Sequence, residues 1–474
     1  MIHLKSYHKI ADRKQTSTSI LPRFSHGIHL EQHRDRSRLD EYMKKSDEST
    51  APEVGEKTET PLQALIRFSS RRCYDRAIEL GKQLLLANPE DPQITSWLGY
   101  SLLQHGQKKK GLALLEITRH KNVGSDVPCI GLLRNLNCEN PEKARQAYRD
   151  IVSQNPAFAR TYLSLDSPGP LGKAYSETFS RINPSNSQKL LVFYHLPFTG
   201  GTSIQVALHL AYEKDISFNI KRRSGLEAIT RFAELPRARL SSLRYIHLHH
   251  PYPLELGPPD KVFFTVLRDP VSYFLSGYFK RRNLGNKIMP SRDILIKNGG
   301  LPEAVEFARE HALHNGLTKH LAILHPSLKA KFTKHHRVRK SLADRIFKRT
   351  AEDRNMGYVT YEEDLFYPKA TAGIPDNDLL DLATEVLQTR FGAPGVIKHL
   401  EAGFLVAMAR AGMQLSPRIP HRGASHGPAR EAINPGIKSR IAELNQIDQL
   451  LYDRAVVDFE KNHPDLIAAL AQNR

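Results

Sequence analysis

Residues 189–204 read Lys-Leu-Leu-Val-Phe-Tyr-His-Leu-Pro-Phe-Thr-Gly-Gly-Thr-Ser-Ile. The apolar run Leu190–Leu196 has the length of a buried strand. The chain turns at Pro197, passes through Thr199-Gly200-Gly201-Thr202-Ser203, and resumes a helical pattern from Ile204 to about Tyr212. Strand, glycine turn and helix start together make an anion site. Two glycines let the backbone approach a phosphate, and the N–H groups of a helix's first turn point at it. Thr199, Thr202 and Ser203 add hydroxyls. No Gly-Lys-Ser or Gly-Lys-Thr follows the glycines, so this is not a Walker A loop. Taken alone, the stretch fits a phosphate loop and an ordinary strand-to-helix turn equally well.

Downstream, Tyr245-Ile-His247-Leu-His249-His250 reads as a short strand ending in a histidine pair, closed by Pro251-Tyr252-Pro253. Lys261–Leu267 is a buried-type strand that delivers Arg268-Asp269-Pro270 to a turn. A helix from Val271 to Arg282 then carries Tyr273, Ser276 and Tyr278. Strands separated by helical segments imply an α/β fold with a parallel sheet and sites at the carboxyl ends of its strands. Arg268 offers a planar fork to a phosphate, and Ser276 lies two helical turns further on. Two anion grips on adjacent strands suit a ligand with phosphates at both ends.

The amino-terminal part reads differently. Residues 1–58 are polar, with mixed charge, and are expected to form a disordered tail. From 59 to 165 the pattern is helical and repeats. Ala77, Gly81, Leu84 and Pro89 recur in spacing as Ala144, Tyr148, Ile151 and Pro156, and each proline follows an asparagine. With Trp97-Leu98-Gly99 between them, this resembles tetratricopeptide repeats. The resemblance implies an all-α array of about three stacked units ahead of the α/β domain. Such an array can hold a protein partner, or it can serve only as a scaffold for its own domain. Residues 166–188 contain Ser-Pro-Gly-Pro and Asn-Pro-Ser-Asn and read as a linker, with the α/β domain at 189–474.

The formal charge of +19 over 474 residues points to an anionic partner without naming it. The stretch 329–349 alone holds nine Lys or Arg against Asp344, and the carboxyl-terminal loop 417–428 carries His421-Arg422-Gly423. The three cysteines, Cys73, Cys129 and Cys138, have no metal-ligand spacing and read as free thiols of a reducing compartment. No transmembrane segment and no signal peptide are evident, so a cytoplasmic location is expected, with no specific nucleic-acid partner.

The two grips resemble the sulfotransferases that use 3′-phosphoadenosine-5′-phosphosulfate (PAPS). The nearest branch is the carbohydrate type, similar to heparan-sulfate 2-O-sulfotransferase. That family's Pro-Lys-Thr-Gly-Gly-Thr-Ser loop is similar to Pro197–Ser203, and its Leu-Arg-Asp-Pro-Val with Ser-x-Tyr to Leu267–Val271 with Ser276-Gly277-Tyr278. Its Asn-x-x-Thr-Arg-x-Leu is similar to Asn315, Thr318, Lys319 and Leu321. Its late strand resembles Met356–Tyr361, and its last helix resembles Asn445–Tyr452. The likeness spans roughly 185–460 and implies a P-loop-like fold and metal-free sulfuryl transfer to a glycan or protein hydroxyl. By resemblance, Thr199, Gly200, Gly201, Thr202 and Ser203 bind the 5′-phosphosulfate, Arg268 and Ser276 bind the 3′-phosphate, and His250 is the base. His249 and His247 are the alternatives. One position departs: the family's loop lysine is Phe198 here, expected to pack rather than to bind. The missing charge could come from Lys280, Arg281, Arg282, Lys319 or Arg422. The other reading is a catalytically impaired sulfotransferase-like adaptor that binds nucleotide or acidic glycan and captures proteins on its repeats.

Overall fold

A computed structural model describes residues 59–121, 123–220, 232, 235–249, 260–283, 300–310, 313–328, 371–392, 394–420 and 433–473. The expected tail therefore lies outside the described residues.

Six helices come first. They pack as α1 (Pro61–Ser70) with α2 (Tyr74–Ala87), α3 (Pro92–Gln104) with α4 (Lys108–Thr118), and α5 (Asp126–Glu139) with α6 (Pro141–Gln154). Their starts are set by local chemistry. Thr60 and Gln63 form a capping box, Asp91 accepts from the N–H groups of Gln93 and Ile94, and Asn140 accepts from that of Lys143. The recurring Asn-Pro is a stop: Asn88 and Asn155 cap the ends of α2 and α6, and the proline cannot continue the helix.

The small residues of the repeat mark close helix crossings. A Cβ added at Gly111 would lie 2.6 Å from the Leu103 nitrogen and 2.7 Å from the Gly99 carbonyl oxygen. These neighbours are backbone and cannot swing aside. Gly111→Ala is expected to destabilise the helical region by about 1–3 kcal/mol. The check is thermal unfolding followed by circular dichroism, and an unchanged melting point would contradict the close crossing.

The last helix pair is built into the rest of the molecule. Arg134 Nε donates to Glu213 at 3.0 Å, and the Asn135 side-chain amide donates to the same carboxylate. The buried Asn137 amide donates to the Leu415 carbonyl at 2.8 Å, and Gln188 donates to the Asn137 carbonyl at 2.7 Å. Cys129 and Cys138 lie nearby as free thiols, and burial pushes the pKa of each up to about 12.

A short strand precedes the segment expected to be a linker (166–188), and the segment itself is largely helical. β1 (Tyr162–Ser164) pairs antiparallel with β8 (Leu415–Pro417), and a helix follows over Gly169–Ile182. Its buried Leu171, Tyr175 and Phe179, spaced four apart, join the main core, and the Tyr175 hydroxyl donates to the Met413 carbonyl at 2.7 Å. Pro168 and Pro170 mark the start of this helix rather than a break.

The parallel sheet comprises β2 (Leu190–Tyr194), β3 (Ser217–Ile220), β4 (Tyr245–Leu248) and β5 (Lys261–Phe264), in the order β3-β4-β2-β5. After Thr265 the chain resumes as β6 (Val266–Leu267), paired in parallel with β7 (Gly395–Val396). One face of β2 and β4 packs Val192, Tyr194, Ile246 and Leu248 against Leu405 and Leu451. The other packs Leu191, Phe193 and Tyr245 against Ile204 and Leu208 of the helix Gly201–Ala211, and against Phe404. Burial on both faces explains why β2 reads as an unbroken apolar run. The architecture is a helical region joined to an α/β region with a small parallel sheet. Among the described residues, no helix is long and apolar enough to cross a membrane.

Candidate functional site

The site forms where β2 and β5 end side by side, with Phe193 opposite Phe264. Thr265 fastens the pair by donating its hydroxyl to the Tyr194 carbonyl at 2.8 Å. Beyond β2 the chain makes a turn in which Phe198 and Gly200 take φ values of 62° and 82°, on either side of Thr199. Gly200 adopts that left-handed geometry without strain and caps the helix Gly201–Ala211. Gly201 is needed for another reason: a Cβ there would fall 1.9 Å from Nε2 of His195.

The three hydroxyls predicted to face an anion do different things. Thr199 is fully buried and donates to the Leu196 carbonyl at 2.8 Å, so it holds the turn. Thr202 is exposed and Ser203 half-buried on the first helical turn. The helix end, with the Gly201 and Thr202 amides, is the part shaped for a negative charge.

Arg268 leaves β6 and donates from Nη1 to the Phe198 carbonyl at 2.8 Å, which joins the second predicted grip to the first. Asp269 and Pro270 then start the helix Pro270–Asn283, with the Asp269 carboxylate accepting from the Ser272 N–H at 2.8 Å. The Arg-Asp-Pro motif is thus a strand end, a helix cap and a first helical residue. Ser276 sits half-buried on that helix. The Phe198 ring crosses to the same helix. A Cβ on Gly277 would come within 3.2 Å of it, and its centroid lies 6.0 Å from that of Tyr273, edge to face. Where the resemblance expects a lysine, this chain has an aromatic bridge between loop and helix.

Two further motif segments, far apart in sequence, meet beside Tyr273, whose ring lies near Gly316. Asp448 is fully buried and accepts from the N–H groups of Leu317 (3.0 Å) and Thr318 (2.7 Å) and from the Thr318 hydroxyl (2.7 Å). Asn445 accepts from the Asn315 N–H at 2.9 Å. Lys319 is buried here, and burial lowers its ammonium below the usual range against the opposing pull of Asp376 and Asp448. The Lys319 ammonium thus sits within the field of these two carboxylates. His250, Arg422, the basic stretch 329–349, Met356–Tyr361 and the side chains of Lys280, Arg281 and Arg282 lie outside the described residues.

One group escaped the sequence reading as a unit. His195, His247 and His249 project from the ends of β2 and β4 on the face covered by the helix Gly201–Ala211. The Nδ1 of His195 lies 3.2 Å from Nε2 of His247, and the rings of His195 and His247 lie 4.5 and 4.4 Å from that of His249. His247 is almost wholly buried. Burial, and the nearby His249, His195 and His209, hold its pKa well below 6.5 and its ring neutral. The signal was present in His195 and in the alternation His247-Leu-His249, but the two combine only through the parallel pairing that sets Phe193 opposite His247.

A cavity of about 320 Å³ lies elsewhere, lined by Lys189, Asp260, Lys261 and Arg410 at the amino ends of β2 and β5. Open parallel sheets bind ligands at the carboxyl ends, so the loop rather than this cavity is the candidate site. Comparison with protein-family models, with curated proteins and with solved structures returns no match to this chain.

Proposed function

We propose that the α/β region is a P-loop-type sulfotransferase that moves the sulfuryl group of PAPS to a hydroxyl of a glycan or protein. The observation that carries this reading is the bond from Arg268 to the Phe198 carbonyl. It ties together the two motif segments that the resemblance assigns to the two ends of one nucleotide. The residues present fit such a ligand: a left-handed glycine, a helix amino end with exposed Thr202, an arginine at the loop, and a half-buried Ser276 on the following helix. In this proposal the Gly200–Ser203 turn holds the 5′ end, and Arg268 and Ser276 hold the 3′-phosphate. Thr199 serves by shaping the turn.

In the reaction, the bond between sulfur and the 5′-phosphate oxygen breaks as sulfur bonds to the acceptor oxygen. The acceptor proton passes to a histidine, assigned to His250, and the nucleotide leaves with the electron pair. An imidazole suits this task, because its ordinary pKa of about 6.5 is close to working pH. The helix amino end offsets charge that develops on the leaving 5′-phosphate. The helical pairs α1–α4 stand ready for a protein partner, which favours a protein acceptor or adaptor.

The test is calorimetric binding of 3′-phosphoadenosine-5′-phosphate, followed by sulfate-transfer assays of the wild type and Phe198→Lys. Binding with turnover in the wild type is expected. Binding without turnover, restored by the lysine, would replace the enzyme reading with the impaired adaptor. Absence of binding would remove the nucleotide assignment.

A further inference from the structure

We infer that His195, His247 and His249 form a binding site for a divalent transition-metal ion of the zinc type, beside the anion loop. The geometry is the first support. Two imidazole nitrogens bound to a tetrahedral zinc at about 2.0–2.1 Å stand about 3.3 Å apart. The His195 Nδ1 and His247 Nε2 atoms are 3.2 Å apart, and one nitrogen from each of the three rings can be chosen so that all lie within 4.8 Å of one another.

The scaffold is the second support. His195 continues the β2–β4 pairing by donating its backbone N–H to the Leu248 carbonyl at 2.8 Å, so two rigid parallel strands present the three rings. Stacking fixes them further: the Phe193 ring lies 5.4 Å from His195 and 5.5 Å from His247.

Ligand chemistry adds the third. Neutral imidazoles are the form that binds metal. Three histidine ligands leave a fourth position for water or an anionic oxygen, the pattern of reactive rather than structural zinc.

The placement bears on Phe198. The His195 ring lies against Gly201, the first residue of the helix whose amino end faces the proposed donor. A cation here would supply positive charge next to a loop that has lost its lysine. This role for the ion rests on the sulfotransferase reading, whereas the metal site does not. It also departs from the metal-free chemistry that the resemblance implies.

The experiment uses the full chain, stripped with chelator and titrated at neutral pH with Zn²⁺ and separately with Co²⁺. One equivalent should bind, and the cobalt form should show the intense visible absorption of four-coordinate Co²⁺. His249→Gln, at a half-buried position and so tolerable for folding, should weaken binding at least about a hundredfold. His399→Gln, whose ring is held by Glu460 at 2.8 Å, should leave it unchanged. Circular dichroism of each metal-free variant separates loss of ligand from loss of fold. Failure of the wild type to bind one equivalent would overturn the inference. So would full binding in the His195→Gln/His249→Gln double variant, because other histidines would then be the ligands. Titration with 3′-phosphoadenosine-5′-phosphate, with and without Zn²⁺, keeps the two proposals apart. Nucleotide binding without zinc binding would sink only the metal site, and zinc binding without nucleotide binding would sink only the donor assignment.

Discussion

Arg268→Ala is expected to lower affinity for 3′-phosphoadenosine-5′-phosphate at least about a hundredfold. The guanidinium has two tasks. It donates to the Phe198 carbonyl at 2.8 Å and so holds the loop against the strand end. In the proposed complex the same fork also grips the 3′-phosphate. Two bonds from a charged donor, at about 1.5 kcal/mol each, give about 3 kcal/mol, or roughly two orders of magnitude in Kd. Arg268→Lys should fall between the two, because it keeps the charge and loses the planar fork. Calorimetry on the three proteins checks this. A change under about threefold for the alanine variant would mean that Arg268 supports the loop and touches no ligand.

Asp448→Ala is expected to destabilise the α/β region by about 3–5 kcal/mol, the usual cost of stranding the partners of a buried charged group. Its carboxylate accepts from the Leu317 and Thr318 N–H groups and the Thr318 hydroxyl, all buried. These donors lie at the amino end of the helix Gly316–Ala322, where a negative charge is favoured. Burial raises the Asp448 pKa, while the bonds from Thr318 and Leu317 and the charge of Lys319 pull it down. Removing the carboxylate leaves the donors dry and Lys319 with one less counter-charge. The apparent melting temperature should fall by roughly ten degrees. Asp448→Asn, which keeps one acceptor oxygen, should lose less. A loss below about 1 kcal/mol for the alanine variant would show that water replaces the carboxylate.

Much of the loop was legible because its signals are local. An apolar run, two glycines and a helical period are each read within a few residues, and β2, the turn and the helix Gly201–Ala211 form where those signals lie. Arg268-Asp269-Pro270 was read as a turn between strand and helix, and the structure adds that Asp269 caps that helix. Phe198 was read as a packing residue, and its ring lies on Gly277 and Tyr273.

What was not legible depends on contacts distant in sequence. Asp448 and Thr318 were matched to separate motifs, but nothing in either segment says that one holds the other. Thr199 looked like a ligand donor because a hydroxyl in a loop looks the same whether it faces solvent or the Leu196 carbonyl. The Gly169–Ile182 helix was masked by the prolines at its start, which outweighed the four-residue spacing of Leu171, Tyr175 and Phe179. The histidine cluster needed the register between β2 and β4.

The docking of α5 bears on where the molecule can be divided. Leu132, Leu136 and Tyr162 share one apolar cluster with Leu415, and Cys138 packs in the cluster that holds the helix Gly201–Ala211. A cut near residue 165, where the repeat pattern stops, would pull β1 from β8, strip cover from Leu415 and leave Glu213 without Arg134. The seam visible in the repeat pattern is not a seam in the folded protein. Helices α5 and α6 act as a wall shared by the helical region and the α/β region, so neither keeps its core if the other is removed.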